Sequence, residues 1–163
     1  MKAVTRFTVL AVLCSSLVVA ASAVSNPRAT GDAHWIDGHS QQPANLRFNA
    51  IATSKAGPIA KGSATYTDQN VTYTMDVQFL KVSGNRAWFA GQVTSVTGAD
   101  GYLACCRVGD WIFYKIEGGE PGVNGDQVWA EDLTQTRQLQ MIPAPSRDNV
   151  RDLVKSGAST PGI

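Results

Sequence analysis

The chain has 163 residues, 44% of them hydrophobic and 17% charged, with a formal net charge of +1. That balance excludes a disordered polar chain and a membrane bundle. The near-neutral charge argues against a nucleic-acid binder working by bulk basicity.

The N-terminus reads as an address. Lys2 and Arg6 form a short cationic head, residues 7–21 an apolar stretch, and Ala21-Ser22-Ala23 a small-x-small cleavage pattern. This is the layout of a secretory signal peptide over residues 1–23. The stretch is short for a membrane span of about 20 residues and is broken by Ser15 and Ser16, so no stable membrane insertion is expected after cleavage. A lipid-bearing Cys14 is disfavoured by the Leu13 that precedes it. Removing 23 of 163 residues leaves 140, and losing Lys2 and Arg6 from the 14 basic residues leaves 12 against 13 acidic. A domain of that size buries about two-thirds of its unfolded surface, enough to fold without staples.

Past the tag, residues 24–32 read as a flexible, polar lead-in and 33–135 as a β domain. Residues 33–36 form a first strand. Leu46, Phe48 and Ala50 alternate with Arg47 and Asn49, the period-two mark of a half-buried strand. A weaker strand covers 59–66, between turns at 55–58 and 68–70. The clearest alternation follows: Val71, Tyr73, Met75, Val77 and Phe79 share one face, and Thr72, Thr74, Asp76 and Gln78 the other.

Residues 83–85 turn this strand back into 86–97. A three-residue loop, with Asn85 left-handed, sets Phe79 opposite Phe89, Val77 opposite Gly91 and Met75 opposite Val93. The outer face is then Thr72, Thr74, Asp76, Gln78, Trp88 and Gln92. Further strands are expected at 102–108, 111–116 and 128–133. The apolar density of 111–116 marks a central strand.

Residues 136–163 read as a C-terminal segment with one helix and a frayed tail. Ser146 suits an N-cap, Asp148 the first turn, Lys155 the last turn, and Gly157 a stop. Val150, Leu153 and Val154 fall on one side, which packs on the sheet. The fold class is all-β: an antiparallel β-sandwich or partly open barrel with one short C-terminal helix.

Cys14 leaves with the tag, so only Cys105-Cys106 remain. Neighbouring side chains in a strand point to opposite faces, so a ring between them needs a strained turn. Buried thiols, a strained vicinal disulfide and an intermolecular bridge stay open as readings. His34 and His39 lack a nearby cysteine to complete a metal site and read as surface histidines.

No nucleophile elbow, phosphate loop or H-E-x-x-H motif is present, so no catalytic residue is assigned. Glu117, Glu120, Asn124 and Asp126 place four oxygen-bearing side chains in the Gly-rich segment 117–126. Calcium takes about six to eight oxygens, so these four are a weak calcium candidate beside the simpler reading of a structural turn. Trp88 and Gln92, on the outer face, are a weak ligand or interface candidate. A second sheet or the C-terminal helix covering Trp88 is the competing reading.

The run Val82-Ser83-Gly84-Asn85-Arg86-Ala87 and the loop Gly118-Gly119-Glu120-Pro121-Gly122 together carry a resemblance. Residues 30–135 are similar to the post-COAP type of all-β domain found in exported proteins of high-GC Gram-positive (actinobacterial-type) bacteria. That resemblance implies an exported module and carries over no catalytic residue. The doubled cysteine and the Pro-containing C-terminal segment have no place in its pattern.

The expectation is a secreted, wall-associated or extracellular module without catalysis or cofactor, binding a glycan or protein and no nucleic acid. The alternatives are a small extracellular hydrolase using the loop carboxylates, and a structural β domain stabilised by calcium.

Overall fold

The computed structural model describes residues 25–36, 42–98, 106–118, 127–134, 137 and 143–157. The expected signal peptide, His39, Cys105, residues 102–104, Glu120, Asn124, Asp126 and the tail 158–163 lie outside the described residues.

Seven strands form one antiparallel sheet: β1 Arg28–Ile36, β2 Pro43–Ala52, β3 Ala60–Thr67, β4 Val71–Ser83, β5 Arg86–Gly98, β6 Trp111–Glu117 and β7 Gln127–Asp132. Each strand pairs with its neighbour in sequence, so spatial order equals chain order. The sheet curls into a nearly closed barrel. The barrel half of the expected fold class is therefore the one observed, and the core is wrapped by one sheet instead of sandwiched between two. One short helix, α1 Arg147–Ser156, follows.

The barrel interior holds Leu46, Phe48, Met75, Val77, Phe89, Val93, Ile112 and Tyr114. Met75, Val77 and Phe89 share this side, as the alternation requires. The rings of Phe48 and Phe89, and of Phe89 and Tyr114, stack at 5.3 Å between centroids. The Tyr73 and Tyr114 hydroxyls hydrogen-bond to each other inside. Burial raises the Tyr73 hydroxyl well above its ordinary pKa, and Tyr114 adds to the effect, so Tyr73 stays protonated.

The hairpin between β4 and β5 departs from the expected register. Ser83 pairs with Arg86, which leaves a two-residue loop, and Leu80, not Phe79, lies opposite Phe89. The left-handed residue is Gly84 at φ 59, not Asn85. Glycine in the first loop position is the order that type II′ turns favour. The register then shifts between Val77 and Phe79, so that Val77 faces Gly91 and Met75 faces Val93 as expected. One extra residue is present under either description. Parity of the apolar pattern demands it but is blind to its position, and the fold places it at Gln78 as a bulge instead of in the turn.

The bulge has a packing consequence. Phe79 turns outward and joins Trp88, Ala90, Trp111 and Phe113 in a second cluster on the outside of the barrel. Its ring stacks on Trp111 at 5.8 Å. Helix α1 covers this cluster with Val150 and Val154, both fully buried. Burying each valine stabilises by about 1.5–3 kcal/mol.

The helix ends form as their residues dictate. The Ser146 side chain accepts from the Asn149 N–H at 3.2 Å, and Gly157 closes the helix at φ 64. Lys81 Nζ donates to the carbonyls of Lys155 and Ser156, both at 3.1 Å. Arg147 Nε donates to Gln78 Oε1 at 3.1 Å, while its guanidinium sits 5.1 Å from the centre of the Phe79 ring.

Two other expectations change. The lead-in expected through residue 32 is already strand from Arg28. Its inward positions carry only Ala29, Gly31 and Ala33, too small to register as an apolar alternation. Of the strand expected at 102–108, the described part is a turn: Cys106 is left-handed at φ 64 and the Asp110 N–H closes back onto the Arg107 carbonyl at 2.9 Å. Cys106 itself is buried in the barrel core.

Candidate functional site

Trp88 sits on the outer face, as the alternation says, yet it is only 6% exposed because the aromatic cluster and α1 cover it. That burial removes Trp88 as an open binding surface. Its indole Nε1 has no hydrogen-bond partner among the described residues. Gln92 is held at both ends of its amide: Gln78 Nε2 donates to its Oε1 at 3.1 Å, and its Nε2 donates to the Gly109 carbonyl at 3.2 Å. Gln92 ties the bulge to the 106–110 turn.

Of the four calcium candidates, only Glu117 is described. Its carboxylate accepts from Arg86 Nη2 at 2.9 Å, and no group of three His, Cys, Asp or Glu side chains gathers among the described residues. His34 is exposed, beside Asp32 and Asn45, as expected of a surface histidine. The Asn45 amide and then the Arg47 guanidinium hold the Asp32 carboxyl below its ordinary pKa.

The site that sequence reading missed is at the mouth of the barrel, where β1 begins and the β4–β5 hairpin turns. A cleft of about 390 Å³ opens there, within the ordinary size range of ligand pockets. Its floor is apolar: Phe48 below, with Ala29, Val82, Ala87 and Ile116 around it. The space exists because the inward positions are small. A Cβ on Gly31 would stand 2.7 Å from Cζ of Phe48, so that ring occupies the room a side chain would need.

The rim is cationic. Arg86 is paired with Glu117, whereas Arg28 is exposed and makes no hydrogen bond or ion pair among the described residues. The far wall is fixed by two reciprocal bonds between the hairpin and the end of β6. Gly118 N donates to the Asn85 carbonyl at 2.9 Å, and Asn85 Nδ2 donates to the Gly118 carbonyl at 2.8 Å. Next to the cleft, β1 pairs only with β2, leaving its outer edge without a ladder among the described residues.

The arrangement offers a guanidinium, an apolar pocket and a free strand edge to one ligand. The lining comes from five separate segments, so no local motif announces it. The one available signal was the alternation of small residues Ala29, Gly31 and Ala33 with polar Arg28, Thr30 and Asp32. Compared with family models, curated proteins and solved structures, the chain matches none of them.

Proposed function

We propose that the protein is an exported, non-catalytic β-barrel module that holds a cell-surface glycan or a protein segment in the cleft at its mouth. The cleft carries this reading: an unpaired Arg28 stands over an apolar floor at a barrel mouth, a place where ligands commonly bind. The signal-peptide layout of residues 1–23 and the resemblance to post-COAP-type exported domains support export.

The test is retention on arrays of bacterial wall glycans and of surface-derived peptides, using wild type and Ala87→Leu, whose longer side chain grows into the cleft. Binding by wild type that is lost in the variant, with an unchanged melting profile, is the expected result. No retention on either array, or retention indifferent to Ala87→Leu, overturns the proposal.

A further inference from the structure

We infer that the mouth is built for the end of a polypeptide: a C-terminal carboxylate on Arg28, with an apolar last side chain laid on Phe48. This deepens the binding reading above and rests on it.

Three observations converge. The floor presents carbon from Phe48, Ala29, Ala87 and Ile116, which suits an aliphatic side chain and offers little to the hydroxyls that cover a sugar. Arg28 is the cation on the rim without a partner among the described residues, whereas Arg86 is neutralised by Glu117. An approaching carboxylate therefore finds one guanidinium with its donors unused, and charge-assisted bonds of this kind are the strong ones. The edge of β1 adjoining the cleft has no ladder partner among the described residues. An extended chain entering the mouth can pair with that edge through its backbone, the mode by which peptides add a strand to a sheet.

The three features divide the work. The edge fixes the ligand as extended backbone, the floor selects an apolar last residue, and Arg28 demands a free terminus. A glycan uses none of the first and little of the second.

The experiment is fluorescence anisotropy on the purified protein with labelled hexapeptides. The probes are Gly-Gly-Ser-Gly-Ser-Leu as free acid, the same peptide as C-terminal amide, and a free acid ending in Ser. The free acid ending in Leu should bind about tenfold or more tightly than either control. Arg28→Ala should remove the preference for acid over amide while leaving amide binding unchanged, and Arg28→Lys should restore part of it. Added salt should weaken the acid more than the amide.

Equal binding of acid and amide, or an undisturbed preference in Arg28→Ala, overturns the inference. If no peptide binds while a glycan is held and then lost in Ala87→Leu, the peptide-end assignment falls and the module reading stands. If neither class binds, both fall.

Discussion

Replacing Phe79 with alanine tests the bulge at Gln78, on which the two-layer arrangement depends. The side chain is fully buried, so the change should cost about 3–5 kcal/mol in lost transfer and cavity formation. Part of that loss belongs to particular partners. The Arg147 guanidinium, 5.1 Å from the ring centre, contributes about 0.5–1 kcal/mol at an exposed position. In a double-mutant cycle, Phe79→Ala and Arg147→Ala should therefore couple by about 0.5–1 kcal/mol. Phe79→Ala and Tyr73→Phe, which lie in different clusters, should add to within about 0.5 kcal/mol. Urea unfolding with slopes checked across the four variants of each cycle supplies the free energies. Coupling to Tyr73 with none to Arg147 would refute the bulge and return Phe79 to the barrel interior, opposite Phe89.

The caps of α1 give a second set of outcomes. Ser146→Ala should destabilise by about 1 kcal/mol. Gly157→Ala should cost about 1–2 kcal/mol for the left-handed conformation and more for the contact of its Cβ with Lys81 Nζ, 2.7 Å away; thermal unfolding reads both. Asp110 gives a pH signature. Burial raises its carboxyl above the ordinary 3.8, the nearby Asp132 adds to this, and the Arg107 N–H opposes it. The folded state thus holds this proton more tightly than the unfolded chain, and the group's contribution to stability declines as pH rises through that raised value. Asp110→Asn keeps an acceptor for the Arg107 N–H and should match or exceed wild type at pH 7, with the gain gone at pH 3. A constant deficit at both pH values would contradict this. N-terminal sequencing of the exported protein should begin at Val24; a start at Met1 in the medium would dispose of the signal peptide.

How far the fold could be read from the chain varied with side-chain size. The alternation from Val71 to Val77 is strong because every inward residue is large, and the pairings Val77 with Gly91 and Met75 with Val93 follow from it. The helix was legible to the residue, since Ser146 and Gly157 are chemical stop signs. The same parity that located the interior could not say where the odd residue goes, and Phe79 paid for that ambiguity by changing layers. Trp88 lay on the face expected of it, but the cover it receives comes from Val150 and Val154 more than sixty positions away, a contact no local pattern encodes. The cleft was the least legible feature. Its defining property is missing volume at Ala29, Gly31 and Ala87, and small residues leave little periodic signal.

Strand order and chain order coincide throughout the sheet. Every ladder therefore closes a short loop, and little chain entropy is lost at each step. Two encounters reach far along the chain: the approach of the first strand to the last, and the return of the helix to β4, where Arg147 meets Gln78 across 69 positions. The sheet can zip one hairpin at a time, while the tryptophan-rich flank waits wet until the final clasp arrives.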